Sequence, residues 1–341
     1  MTDNIATPFA KPLYVMLKPA GAHCNLACKY CYYLEKNNLY DKSHRHIMSD
    51  EMLEQFTREY IEAQTMPQVL FTWHGGEPLM RSIDFYKKAL ALQKKYARGR
   101  RIDNVIQTNG TMLTDEWCEF FAQNNWLVGI YLQFTPIVER LTQHQDGRTL
   151  ASLADNHEIP LADFSVTPEQ WGNFLCAIFE EWVHNDVGKM FVEIFDCTLA
   201  NWMGVLPGIC AYSKNCGHAG VMEHNGDVYS CYHFVFPEYK LGNIRDHTLI
   251  EMLYGDKQHA LSRLKHTSLP RQCKECDMEF ACHGECPKNR FEKDKYGEPG
   301  LNYLCKGYFQ YYSHVAPYMD FMKRELQAQR PPANIMEALK K

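Results

Sequence analysis

Cys24, Cys28 and Cys31 stand together in one short stretch, GAHCNLACKYCYY, spaced Cys-x3-Cys-x2-Cys. A chain that gathers three thiols on one loop must build the rest of its fold to hold that loop. Fourteen cysteines occur in the 341 residues, and eleven of them fall into three groups. The second group is Cys210, Cys216 and Cys231; the third is Cys273, Cys276, Cys282, Cys286 and Cys305. The start, MTDNIATPFAKPLYVMLKP, has no basic segment leading into an apolar one, so no signal peptide is expected. No apolar run approaches the roughly 18 residues of a membrane helix. The chain is therefore read as cytoplasmic, where dense cysteine points to metal rather than to disulfides. Cys118, Cys176 and Cys197 lie singly in apolar segments and are expected to be ordinary buried residues. A net charge of −5 argues against a nucleic-acid partner.

The segments around the cysteines alternate in character. LYVMLKP, QVLFTW, NVIQTNG, WLVGIYLQF and MFVEIFD read as strands. Helices are expected at SDEMLEQFTREYIEAQ with Ser49 as N-cap, at IDFYKKALALQKKYA, at TDEWCEFFAQN with Thr114 as N-cap, and at TPEQWGNFLCAIFEEWVHN. The last has Thr167 as cap and Pro168 at the first helical position. This order predicts an α/β fold with a parallel sheet or partial barrel, its functional residues at the C-terminal strand ends. After about Trp202 cysteines become dense and helices are expected to be scarce. VMEHNGDVYSC predicts a hairpin with a type I′ turn at Asn225-Gly226, and TLIEMLYG a short helix. An aromatic helix from about Tyr303 is expected to break at Pro317, and the tail QRPPANIMEALKK to be loosely attached.

A zinc site usually closes with four ligands. Three thiolates fit a [4Fe–4S] cube better, because each binds one iron and the fourth iron stays open. A zinc knuckle is the alternative. The Cys-x3-Cys-x2-Cys loop after a first strand resembles the signature of radical S-adenosylmethionine enzymes. The resemblance implies that the open iron chelates S-adenosylmethionine and that one electron releases a 5′-deoxyadenosyl radical. GGEP, with Gly75, Gly76 and Glu77, stands where that family receives the cofactor's amino group through backbone and Glu77. Tyr30 stands at the adenine-contacting aromatic, and Val138, after QFTP, at a further backbone contact.

The distal cysteines resemble the SPASM extension of the same superfamily. The resemblance implies two more [4Fe–4S] clusters, one on Cys210, Cys216, Cys231 and Cys286 and the other on Cys273, Cys276, Cys282 and Cys305. Two structural zinc sites are the alternative. The domains are expected at 1–204 for a shortened partial barrel and 205–341 for the cysteine-rich extension.

CNLACKYCYYLEK, TWHGGEPLM, IQTNGT, FDCTLANW and CYHFVFPEYKLGNI together resemble anaerobic sulfatase-maturating enzymes. These oxidise a sulfatase cysteine or serine to Cα-formylglycine. The implied partners are a sulfatase polypeptide with a Cys/Ser-x-Pro-x-Arg motif and an external one-electron donor such as flavodoxin or ferredoxin. Two departures stand out. The family's catalytic base is an aspartate after the third cysteine of the middle group; here that position is Tyr232. At Ile130–Tyr131 the chain joins the start of one expected strand to the end of a later one, leaving out about two β/α units. An iron–sulfur electron-transfer or peptide-binding protein without turnover, and a zinc-stabilised interaction domain, are the competing functions.

Overall fold

The computed structural model describes residues 13–340, apart from 29, 30, 32, 34, 35, 37–46, 130–134, 145, 146, 151–158 and 218. Tyr30 and the Ile130–Tyr131 junction lie outside the described residues. The chain packs as two units. One comprises Met1–Tyr131 and His218–Leu261, the other Leu132–Gly217 and Ser262–Lys341. The expected division at 204/205 follows the change in cysteine density; the packing divides the chain at other places.

The first unit is built on β1 (Tyr14–Leu17), α1 (Asp50–Ala63), β2 (Gln68–Trp73), α2 (Ile83–Tyr96), β3 (Arg101–Gln107), α3 (Asp115–Gln123) and β4 (Leu127–Gly129). It is completed by β7 (Ala219–Met222), β8 (Asp227–Tyr229), β9 (Lys240–Asn243) and α6 (Leu249–Leu253). The sheet runs β4-β3-β2-β1-β7-β8-β9. Its first five members are parallel, and β8 and β9 return antiparallel. Ser49 caps α1 by accepting the Met52 N–H, and Thr114 caps α3 by accepting that of Trp117. Met52, Phe56 and Tyr60 share the buried face of α1. They meet Phe71 and Trp73 of β2 in an aromatic core that continues through Tyr86, Trp117 and Trp126.

The β7–β8 hairpin forms as expected, but its turn is not type I′. Gly226 has a positive φ of 88°, whereas Asn225 is not among the positive-φ residues. Gly226 N–H donates to Glu223 and Glu223 N–H to Asp227. This is a three-residue connection with glycine in the left-handed position, the alternative that hairpins use when only one residue can take positive φ.

The second unit contains the paired strands β5 (Leu141–His144) and β6 (Gly147–Leu150), then α4 (Pro168–Asn185) and α5 (Glu193–Trp202). After α7 (Asp256–Thr267) come α8 (Arg271–Lys274), α9 (Glu279–Cys282), the pair β10 (Glu292–Lys293) and β11 (Pro299–Leu301), α10 (Cys305–Gln327) and α11 (Asn334–Ala338). Thr167 and Gln170 form a reciprocal capping box on α4. Trp171, Leu175, Phe179 and Trp182 of α4 pack against Tyr308, Tyr311, Tyr312 and Val315 of α10.

Several expectations are corrected here. MFVEIFD is not a strand: Glu193 opens α5, whose Ile194, Phe195 and Cys197 are buried together in helical rather than alternating spacing. Helices are not scarce after Trp202. The polar run of α7 hid its helical period, and α10 passes through Pro317 unbroken because packing along both sides of that proline outweighs one missing N–H. The tail is docked: Ile335 is buried in the second core, and Glu325 accepts hydrogen bonds from Arg330 and Asn334. Of the three single cysteines only Cys197 is buried; Cys176 is half-buried and Cys118 exposed.

Candidate functional site

β1 ends between β2 and β7, so the loop that carries Cys24, Cys28 and Cys31 leaves from the C-terminal edge of the parallel strands. Open α/β sheets bind ligands at that edge. Three main-chain bonds zip the loop to the one after β2. His74 N–H donates to Leu17 at 2.8 Å, Gly76 N–H to Gly21 at 2.8 Å, and Glu77 N–H to His23 at 2.9 Å. A Cβ on Gly76 would lie 2.1 Å from the His23 carbonyl oxygen, so only glycine permits this approach. Gly76→Ala is expected to part the two loops and destabilise the chain by about 1–3 kcal/mol, the usual cost of overpacking. Chemical denaturation of the metal-free protein measures it.

Glu77 is fully buried. Its Oε1 accepts from Leu79 N–H at 2.8 Å and from the Thr108 hydroxyl at 2.7 Å, and its Oε2 from Asn109 N–H at 2.8 Å. The carboxylate thus braces the loop after β2 against the one after β3. What Glu77 and Gly75 can offer a bound ligand is their main chain. Asn109 continues the link, donating to Asn25 Oδ1 at 2.9 Å and to Cys24 Sγ at 3.7 Å. Asn25 in turn donates to Thr111 Oγ1 at 2.8 Å. Sequence reasoning singled out the stretch QTNG, which includes Asn109, but gave neither asparagine a role; their signal was their adjacency to Cys24 and to the strand end. Val138 lies in the second unit with its side chain buried in the core, which leaves only its backbone for any ligand.

One cysteine in each group accepts an N–H bond from the residue two positions on: Cys24 from Leu26 at 3.4 Å, Cys231 from His233 at 3.5 Å, and Cys276 from Met278 at 3.4 Å. Hydrogen bonds to sulfur of this kind are among the features that tune a cluster held by cysteines. Burial pushes the thiols of Cys216, Cys273 and Cys305 up, to about 11, 12 and 11, and raises that of Cys282 further. Neighbouring thiols add to the rise: Cys305 acts on Cys273 and Cys282, and Cys276 on Cys305. These groups become good ligands only when a cation neutralises them. Among the described residues no three His, Cys, Asp or Glu side chains converge on a site for a single metal ion. The donor set is soft thiolate throughout, the chemistry that suits iron–sulfur clusters or zinc, and the sulfur-directed N–H bonds fit thiolates bound to either.

Tyr232 is half-buried and packs in a small cluster with Ala22, Cys31, Tyr33, Tyr229 and Val235. Its ring centroid is 4.1 Å from that of His233. It therefore stands beside the cysteine loop, where a carboxylate was expected.

Tyr33, a member of the same cluster, meets a buried polar pair that sequence reasoning missed. Lys18 is fully buried, with Nζ 3.1 Å from the centroid of the Tyr33 ring and no hydrogen-bond acceptor among the described residues. Glu223, fully buried at the end of β7, accepts the Tyr33 hydroxyl on Oε1, while Oε2 has no donor among the described residues. A lysine closing the apolar strand YVML was the available signal. Burial lowers the Lys18 ammonium from 10.5 to about 7, opposed by the Glu223 charge, and burial raises the Glu223 carboxyl. Between about pH 7 and 10.5 the unfolded chain therefore holds a proton at Lys18 that the folded chain lacks, so this group makes stability rise with pH there. Lys18→Met removes that rise. Its stability relative to the unaltered chain is expected to fall by about 2 kcal/mol between pH 7 and pH 9, measured by urea unfolding of the metal-free protein.

Comparison with known proteins bears on this site. A model of the radical SAM superfamily matches residues 19–143, and one described as an iron–sulfur cluster-binding domain, SPASM, matches residues 216–277. The chain is 60% identical to a serine-type anaerobic sulfatase-maturating enzyme of Bacteroides thetaiotaomicron, covering 100% of this chain and 98% of that protein. That alignment runs over 406 positions against 341 residues here, so at least 65 positions of it have no residue in this chain. A serine-type enzyme of Klebsiella aerogenes is 31% identical over 92% of this chain and 87% of its own length. The solved structure "Native anSMEcpe with bound AdoMet" superposes with a TM-score of 0.76 at 24% identity, covering 92% of this chain and 100% of that one, which establishes the shared fold.

Proposed function

Because the chain belongs to the anaerobic sulfatase-maturating enzymes, radical S-adenosylmethionine proteins with a SPASM extension, we propose that it oxidises a sulfatase serine to Cα-formylglycine. The serine preference rests on the 60% identity to a serine-type enzyme over the whole chain, against 24% to a cysteine-type enzyme of Clostridium perfringens. Three [4Fe–4S] clusters and S-adenosylmethionine are the cofactors that go with this membership. Cys24, Cys28 and Cys31 would hold the first cluster, and the eight later cysteines of the second and third groups the other two. When bound, the first cluster and S-adenosylmethionine supply the radical that takes a hydrogen atom from Cβ.

The remaining work falls to the chain's own residues. Turning CH2OH into CHO removes one hydrogen atom, one proton and one electron. The bonds that zip the loops after β1, β2 and β3 together would hold the cofactor-binding backbone in place. Gly75 and Gly76 let this turn close against the cysteine loop, Glu77 fixes its main chain, and the backbone of the turn and of Val138 would contact the cofactor. Tyr30 would stack on adenine. The eight later cysteines would hold clusters able to accept that electron, and the external partner would be a one-electron donor such as flavodoxin or ferredoxin. The partner is a Ser-x-Pro-x-Arg segment of an unfolded sulfatase, met in the cytoplasm.

Tyr232 supports a second outcome, a protein that binds clusters and peptide without completing the oxidation. Anaerobic incubation with S-adenosylmethionine, reductant and Ser-x-Pro-x-Arg or Cys-x-Pro-x-Arg peptides decides between them. Formylglycine from the serine peptide, in much lower yield than 5′-deoxyadenosine, is the expected result, read by mass spectrometry. 5′-Deoxyadenosine without aldehyde from either peptide would overturn the maturase assignment, and aldehyde from the cysteine peptide alone would overturn the serine preference.

A further inference from the structure

Two buried cations in the second unit have no part in the chemistry described so far. Lys265, on α7, is completely buried, and its Nζ donates to the main-chain carbonyls of Cys210, Ala211 and Ser213. One turn earlier on the same helix, the Ser262 hydroxyl donates to the Cys216 carbonyl and Cys216 N–H returns a bond to Ser262. The segment bearing Cys210 and Cys216 is thus pinned by one face of α7.

The second cation is Arg290. Its Nε donates to Gly284 O at 2.8 Å, and its Nη2 to His283 O at 2.7 Å and Glu285 O at 3.0 Å. Its Nη1 donates to the carbonyl of Lys265, which joins the two cations through one peptide group. The three carbonyls belong to consecutive left-handed residues, His283 with φ 47°, Gly284 with φ 65° and Glu285 with φ 51°. Two of these carry side chains, and such residues persist in that region only when their surroundings hold them. A Cβ on Gly284 would lie 2.7 Å from Arg290 Nη2, so the guanidinium also fixes glycine there. This turn is the whole connection between Cys282 and Cys286. The Glu285 carboxylate is itself buried and satisfied by Asn302 at 2.8 Å and Asn289 at 3.3 Å.

We propose that Lys265 and Arg290 are paired fixed cations that hold the Cys210–Cys216 segment and the Cys282–Cys286 turn and raise the reduction potential of the clusters those cysteines bind. The proposal rests on the iron–sulfur assignment of these cysteines. A [4Fe–4S] centre with four thiolates is doubly negative when oxidised and triply negative when reduced, so a cation that cannot leave favours the reduced form. The interior has a low dielectric, which makes such fixed charges felt at nearby sites. Burial disfavours both charges, and it is opposed at Lys265 by Cys216, Cys286, Cys210 and Glu285 and at Arg290 by Cys273, Glu285, Cys282 and Cys286. The pair would thus serve as positioning residues for the step in which one electron leaves the substrate, by making its acceptor willing.

The test is an anaerobic potentiometric titration followed by electron paramagnetic resonance. It uses the reconstituted full chain in a Cys24/Cys28/Cys31→Ala background, so that only second-half clusters give signal. Lys265→Met is expected to keep its iron and to shift the electron-exchange equilibrium at least tenfold toward oxidised cluster, about 59 mV for one electron. Lys265→Arg, which keeps the charge, is expected to match the unaltered chain. Arg290→Gln is expected to lower both iron content and potential, and to speed hydrogen exchange at the amides of residues 283–286 in the metal-free protein. If Lys265→Met proves too unstable to load, Lys265→Gln keeps donors for the carbonyls without the charge. A full iron count and an unmoved potential in either neutral variant would overturn the electrostatic role. Unchanged exchange in Arg290→Gln would overturn the positioning role. An unaltered chain that takes up zinc but no iron would overturn the iron–sulfur assignment and this proposal with it.

Discussion

Replacing Cys24, Cys28 and Cys31 together by alanine is expected to remove about four of about twelve irons per chain and all production of 5′-deoxyadenosine. The size of the effect follows from the loop. Its thiols belong to one segment that is zipped by backbone bonds to the loop after β2 and gripped by Asn109 from the loop after β3. That zipper needs no cysteine side chain. The triple variant should therefore keep its fold, and the second-half clusters should keep their iron. Iron and sulfide analysis beside nucleoside quantification measures both quantities. Retention of the full iron count would mean that the first cluster is held elsewhere.

The second large effect is expected at Tyr232. A phenol with an ordinary pKa of about 10 is a poor proton acceptor near neutrality. Its side chain already packs against the cluster of Ala22, Tyr33, Val221, Tyr229 and Val235 and against the His233 ring. Hydrogen-atom removal from the target Cβ does not need this base, but loss of the hydroxyl proton does. The unaltered chain is therefore expected to make 5′-deoxyadenosine well in excess of formylglycine. Tyr232→Asp should raise the formylglycine yield by about 10²–10⁴-fold, the usual reach of general base catalysis, with much less change in nucleoside production. Mass spectrometry of the peptide and quantification of the nucleoside in the same reaction give the ratio. Tight coupling in the unaltered chain would show that another group takes the proton.

Much of this molecule can be read from its residues, for reasons that differ from place to place. Ser49, Thr114 and Thr167 cap their helices as expected because capping depends on a few adjacent residues. The alternation of strands and helices up to β4 is written in apolar periods that a parallel sheet requires. MFVEIFD misled because a short apolar run does not distinguish strand from buried helix, and packing decided it. α7 was hard to see because three of its four buried residues, Gln258, Ser262 and Lys265, are polar and only Leu261 is apolar, while the apolar Leu264 is exposed. In the site, GGEP was legible as a close approach, but the direction of the Glu77 carboxylate was not. It depends on Thr108 and Asn109, about thirty residues away in sequence. Lys18, Tyr33 and Glu223 meet only because β1 pairs with β7, a partnership no local pattern announces.

That partnership has a consequence for the newly made chain. β1 lies inside the sheet, with β2 on one side and β7 on the other. β2 leaves the ribosome soon after β1, but β7 begins at Ala219, after the entire stretch Leu132–Gly217 that packs in the other unit. At synthesis rates of about 5–20 residues per second, β1 waits roughly 10–40 s for its second neighbour. During that time an apolar parallel edge, with the cysteine loop at its end, stands open to other strands and to oxidants. Contacts so distant along the chain also slow folding once synthesis is finished. Recovery of active protein is therefore expected to depend on chaperones and on anaerobic conditions during translation itself, more than on conditions after purification.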